Sequence, residues 1–274
     1  MADLPYINHN GKLLQRNAAG IPLDNSAFRY GFGLFETMLV KDGTLQLARY
    51  HMERLFDGME TLSLRHPALL TEDRLQALVL ETVKKNNSLP LCRVRLQVYA
   101  GGGGMFGSEA DRPGFVIECF DLNPEAIAWN ENGLVAGIAE QLFKSPDMLA
   151  NLKSCNALVY AAAARQAREN KWNDALICNT NGNIIESTIA NIFWVKDGNI
   201  YTPPLSEGCV AGVMRRHLLT THNIHEALLS VDTLLNADEV FLSNAIRGIR
   251  WIGNIGNKSY ANTISHSLAR KLSL

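Results

Sequence analysis

DALICNTNGNIIESTIANIFWVKDGNIYT, from Asp174 to Thr202, reads as two consecutive β-hairpins. Its apolar runs break at Asn181-Gly182 and again at Asp197-Gly198, dipeptides that readily take the φ > 0 backbone of tight hairpin turns. Just before it, CNALVYAAAARQAREN (Cys155–Asn170) is alanine-rich and predicts a helix. After it, GVMRRHLLTTHN (Gly212–Asn223) reads as helix, EVFLSNA (Glu239–Ala245) as strand and SYANTISHSLARKL (Ser259–Leu272) as a closing helix. Strands in hairpins with helices interspersed point to an α+β fold.

The first half repeats that alternation. PYINHNGKLL (Pro5–Leu14) and FETMLVKDGTLQLA (Phe35–Ala48) each suggest a hairpin, the second turning on Asp42-Gly43. From Leu47 to Leu62 the apolar spacing becomes helical, and TEDRLQALVLETVKKNN starts a second helix at Thr71, a good N-cap. CRVRLQVYA (Cys92–Ala100) then alternates with period two, and FVIECF (Phe115–Phe120) follows as a strand. A polar, proline-bearing run at 122–132 reads as a linker, so 1–121 and 133–274 are the expected subdomains.

Composition narrows the function classes. The chain has 274 residues, 47% hydrophobic and 19% charged, with a formal net charge of -1, ordinary values for a globular protein. Near-neutral charge leaves no electrostatic footprint for nucleic acid or an acidic membrane surface, which favours a small-molecule partner. No apolar run reaches the ~20 residues needed to span a bilayer, and the start does not read as a signal peptide. Cys92, Cys119, Cys155, Cys178 and Cys209 are odd in number and widely spaced, which suggests reduced thiols and a cytoplasmic setting.

Single motifs settle little. Gly101–Gly104 lacks the Lys-Ser/Thr of a P-loop and is read first as a loop between strands, second as a lid over substrate. His222-x-x-His225 has no third ligand near it in sequence, so no metal is expected. Lys153, Glu186 and Arg54 taken singly are ordinary surface charges. Gly212-Val213-Met214 opens a helix, whose first N–H groups lack partners and suit an anion.

Taken in order, however, these segments resemble the class IV aminotransferases, the fold-type IV pyridoxal-phosphate enzymes. That family includes branched-chain and D-amino-acid aminotransferases and 4-amino-4-deoxychorismate lyase. The resemblance runs through DNSAFRYGFGLFET (Asp24–Thr37), the H-x-x-R-L of His51 and Arg54, RVRLQVYAGGGG, Lys153 with Asn156, DALICNTNGNIIESTIANIFWV, YTPPLSEGCVAGVMR and EVFLSNA. It implies a two-subdomain fold with the cofactor cleft between them, a homodimer, and pyridoxal 5'-phosphate held by Lys153 as a Schiff base. By the same resemblance Glu186 pairs with the pyridine nitrogen, and Arg54 clamps the phosphate. Backbone N–H groups of Val213 and Met214 and the turn Ser243, Asn244 and Ala245 complete the phosphate site. Tyr30, Thr37, Gly102 and Gly103 are expected on the substrate side.

Two departures stand out. Many relatives have Gly-Ile-Thr where this chain has Gly212-Val213-Met214, and Ala245 replaces a common hydroxyl residue. The expected reaction is amino transfer between a small amino acid and a 2-oxo acid, with the lyase as alternative. Phe35-Glu36-Thr37 and Gly-Val-Met-Arg lean toward the lyase, but GGGGMFG lacks the arginine often found there in that branch.

Overall fold

A computed structural model describes residues 3–65, 70–101 and 113–272. Contacts divide the chain into two compact units, Met1–Ala126 with Lys153–Asn156, and Ile127–Leu152 with Ala157–Leu274. The sequence reading assigned Lys153 to the second subdomain, whereas its contacts lie with the first. The cause is backbone pairing: Phe35 N donates to Lys153 O at 2.9 Å, Cys155 N donates to Gly33 O at 2.8 Å, and Leu34 bridges Ser154.

The first unit is an antiparallel sheet with helices against one face. Its strands are β1 (Asp3–His9), β2 (Lys12–Gln15), β3 (Gly33–Lys41), β4 (Thr44–Leu45), β5 (Leu91–Tyr99) and β6 (Gly114–Asp121), in the order β2-β1-β6-β5-β3-β4. The turns at Asn10-Gly11 and Asp42-Gly43 hold both residues at positive φ, the conformation that a right-twisted two-residue hairpin demands. Short helix α1 (Ser26–Tyr30) was not foreseen; Asn25 caps it by accepting from Ala27 N and Phe28 N. Helices α2 (Ala48–Thr61) and α3 (Glu72–Lys85) bury Met52, Leu55, Met59, Leu75, Val79 and Val83, and Thr71 caps α3 as its sequence suggested.

Strand alternation then sorts β3. Glu36 and Met38 are buried, while Phe35 and Thr37 on the opposite face are only partly covered. Register sets Phe35 against Gln97 and Thr37 against Arg95 on β5.

The second unit is a mixed sheet of β7 (Leu134–Lys144), β8 (Asp174–Asn179), β9 (Ile184–Ser187), β10 (Asn191–Lys196), β11 (Asn199–Thr202), β12 (Ile224–Glu226), β13 (Glu239–Asn244), β14 (Gly248–Ile255) and β15 (Lys258–Ser259). Its path runs β12-β11-β10-β13-β14-β7-β8-β9, and a further pairing of Asn191 with Glu186 joins β9 back to β10. That pairing closes the strands from β10 round to β9 into a ring. β7 runs parallel to both β8 and β14, and α4 (Leu158–Glu169) lies in the connection from β7 to β8, its Ala163 and Ala167 packed on Ala139, Ala175 and Ile177. Ile192, Trp194, Val240, Leu242 and Ile252 belong to a second apolar cluster. Helices α5 (Val213–Thr221), α6 (Val231–Leu235) and α7 (Thr263–Lys271) complete the unit.

Candidate active site

In the first unit the H-x-x-R spacing on α2 puts His51 and Arg54 on one helical face, opposite the buried carboxylate of Glu36. Arg54 donates from Nε to Oε1 at 2.8 Å and from Nη2 to Oε2, and His51 Nδ1 lies 2.6 Å from Oε2. Burial alone pushes the Glu36 carboxyl up, but the Arg54 charge and the His51 contact outweigh it and hold the group at about 2. His51 is pushed down, first by burial, so its imidazole is neutral; its Nε2 is buried with no partner among the described residues.

Lys153 Nζ lies 4.6 Å from the centre of the Phe35 ring, and its charge is among those felt by His51. The Arg95 guanidinium lies 3.9 Å from the same ring and donates from Nη2 to Gln97 Oε1 at 2.9 Å. Thr37 is the strand partner of Arg95, and exposed Tyr30 ends α1 at Gly31, whose φ of 69° sits against the backbone of Asn156. One sheet face thus gathers an amine, a hydroxyl, an amide and a guanidinium around an aromatic ring. Gly102 and Gly103, expected on the substrate side, lie outside the described residues.

In the second unit Glu186 is buried at the end of its hairpin strand. Its Oε1 accepts from Lys144 Nζ at 2.7 Å and Tyr160 OH at 2.8 Å, and its Oε2 accepts from Val210 N at 2.9 Å. Asn191 pairs with Glu186 on one side and with Ser243 on the other, and its Nδ2 donates to Val210 O at 2.8 Å. Gly212 is the N-cap of α5 and caps it with no side chain, so Val213 and Met214 head the helix with their N–H groups. A Cβ at Gly212 would fall 1.8 Å from Asn191 Oδ1, so only glycine fits this approach. Ser243 Oγ is buried without a partner among the described residues. Asn244 is engaged in holding its own turn, accepting from Ile246 N and Arg247 N, and buried Ala245 supplies no hydroxyl.

These groups suit a phosphorylated pyridine. Within the second unit a fixed carboxylate, a helix N-terminus with no side-chain cap and, among the described residues, an unpartnered hydroxyl are of the chemical types that take a ring N–H and a phosphate. Sequence reasoning missed Lys144, Tyr160, Asn191, Arg95 and the Glu36–His51 contacts. Arg95, Lys144 and Asn191 depend on which residues stand side by side across strands, and Tyr160 and His51 on how α4 and α2 pack on their sheets; only the H-x-x-R spacing hinted at any of them.

Residues 33–255 match the amino-transferase class IV family. The chain is 30% identical over 240 residues to the aminodeoxychorismate lyase of Vibrio harveyi, covering 86% of this chain and 87% of that one. It is 27% identical over 258 residues to the branched-chain-amino-acid aminotransferase of Escherichia coli K12, covering 87% and 81%. Its fold matches the crystal structure of the branched-chain aminotransferase of Thermoproteus uzoniensis with norvaline at a TM-score of 0.89 and 22% identity, covering 98% of this chain and 93% of that one. The chain is an enzyme of the class IV aminotransferases, a pyridoxal-phosphate-dependent family with the fold-type IV architecture.

Proposed function

We propose that the chain binds pyridoxal 5'-phosphate through Lys153 and releases pyruvate from 4-amino-4-deoxychorismate, leaving 4-aminobenzoate. The observation that carries this reading is the pairing of Thr37 with Arg95 on the sheet face where Lys153 lies over Phe35. The sequence alone favours amino transfer, because the family it resembles is mostly transaminases and GGGGMFG brings no arginine; β5 carries an arginine at Arg95. A cyclic diene with one carboxylate on its ring and a second on its enolpyruvyl side chain suits an apolar surface with a cation beside it, and Phe35 with Arg95 offers both.

When bound, the cofactor supplies the electron sink for bond breaking at the carbon that bears the amine. Lys153 holds it and takes the proton from that carbon. Thr37 is the hydroxyl available to return a proton to the departing enolpyruvate. Glu186 holds the proton of the ring nitrogen, while Arg54, the α5 N-terminus and the Ser243 turn hold the phosphate.

A second reading is amino exchange between a small amino acid and a 2-oxo acid. It is favoured by the branched-chain relative, which spans this chain as fully as the lyase relative does. Arg95 would then take the second carboxylate of a substrate such as 2-oxoglutarate. Incubation with aminodeoxychorismate separates the two: we expect 4-aminobenzoate and pyruvate in equal amounts. Exchange across an amino-acid panel without 4-aminobenzoate would overturn the lyase reading.

The same proposal extends to a cytoplasmic homodimer. Leu23 and Phe28, 77% and 72% exposed, give the first unit an apolar surface that a second copy would cover. No described helix is long and apolar enough to cross a membrane. Light scattering on the pure protein should give twice the chain mass, and a monomer at micromolar concentration would contradict the dimer.

A further inference from the structure

We infer that Lys144 is a positioning residue that holds Glu186 as an anion with one acceptor direction left for the ring N–H; this rests on the proposed role of Glu186. Lys144 ends β7, and its Nζ reaches both Glu186 Oε1, at 2.7 Å, and Tyr160 OH, at 2.6 Å. Lysine only donates, so the Tyr160 oxygen accepts from Lys144 and its proton goes on to Glu186 Oε1 at 2.8 Å. Burial first, then the Glu186 charge, pushes the Tyr160 phenol up, so that proton stays in place. Cys209, the other titratable group beside the carboxylate, is pushed up to about 12, chiefly by burial, and is a neutral thiol.

The acceptor count follows. A carboxylate oxygen takes two hydrogen bonds. Among the described residues Oε1 has two donors, Lys144 and Tyr160, and Oε2 has one, Val210 N. The open direction is therefore on Oε2, whose position Val210 and Asn191 fix through the backbone.

A purely structural ion pair is a poor explanation. The two side chains are 13% and 4% exposed, and an apolar pair of similar volume often holds such a place as well or better. Charge is required when the carboxylate must stay ionised while a second cation, the protonated ring, binds it. Without Lys144 the buried carboxylate keeps, among the described residues, only neutral donors, and burial disfavours an uncompensated charge. A neutral acid gives a protonated ring no countercharge.

The test compares pyridoxal phosphate with its analogue carrying C–H in place of the ring nitrogen, each titrated into full-length protein freed of cofactor. Wild type should bind pyridoxal phosphate about tenfold or more tightly than the analogue, one pKa unit's worth of discrimination. Lys144→Met should lose about tenfold of that ratio, and Lys144→Arg should recover most of it. Tyr160→Phe, which keeps the charge, should retain the ratio to within about threefold. It also serves if Lys144→Met fails to fold, since loss of the ratio in Tyr160→Phe would show that charge is not the cause. An unchanged ratio in Lys144→Met overturns the inference. Failure of wild type to bind either compound overturns instead the reading of the chain as a pyridoxal-phosphate enzyme.

Discussion

Arg54 meets Glu36 along two hydrogen bonds, Nε to Oε1 and Nη2 to Oε2, while His51 reaches the same Oε2. The carboxylate thereby fixes the plane of the guanidinium that is proposed to hold the phosphate. Glu36→Gln keeps the shape and removes the charge. We expect a loss on the order of 3 kcal/mol in urea unfolding, the usual cost of leaving a buried charge unpaired. Cofactor affinity should fall with it. A variant as stable as wild type would remove Glu36 from this role.

The same cluster sets an acid limit. Glu36 drops from 4.5 to about 2 on folding, so its contribution is full above 4.5 and lost as pH falls toward about 2. His51 is also lowered from 6.5, and a histidine buried neutral likewise favours the fold above that value and weakens it as pH falls below. Melting temperature should therefore fall steadily from about pH 6.5 downward. Glu36→Gln should flatten the portion below 4.5. An identical acid profile in the variant would place the titration elsewhere.

Gly212→Ala forces Asn191 Oδ1 away, because the new Cβ would lie 1.8 Å from it. The shift breaks the Asn191–Val210 hydrogen bond and disturbs the neighbouring Val210 N–H on Glu186. Cofactor affinity should fall about tenfold or more, with a stability loss of about 1–3 kcal/mol from overpacking. Wild-type affinity in this variant would show that the α5 N-terminus does not carry the phosphate.

Arg95→Met keeps much of the side-chain length over Phe35 and removes the charge. KM for a twice-charged substrate should rise about tenfold or more while cofactor affinity stays at wild type. An unchanged KM would take Arg95 out of substrate binding.

The elements were legible where local chemistry decides them. Asn10-Gly11, Asp42-Gly43 and Asp197-Gly198 turn as their residue types require, with both residues at positive φ, and Thr71 caps α3. Asn181-Gly182 differs: only Gly182 takes positive φ, because Asn179 Oδ1 accepts from Asn181 N and Asn183 N and shapes a longer loop. Strand β14 passed unnoticed because GIRWIGNI has no clean alternation and lies buried on both sides for most of its length. At the site, Glu186 and Lys153 could be picked out as residues, but Lys144 could not. Its meeting with Glu186 comes from parallel pairing of β7 and β8, which no local spacing announces. Placing Lys153 with the first unit depends equally on a backbone pairing, Leu34 with Ser154, that links distant segments.

The most direct test of the account is covalent. Protein purified with pyridoxal phosphate, reduced with borohydride and digested, should yield one peptide carrying the phosphopyridoxyl mass, with the modification on Lys153. Lys153→Ala should yield none. A phosphopyridoxyl group on Lys144 or another lysine at wild-type occupancy, or none in wild type, would contradict the central claim.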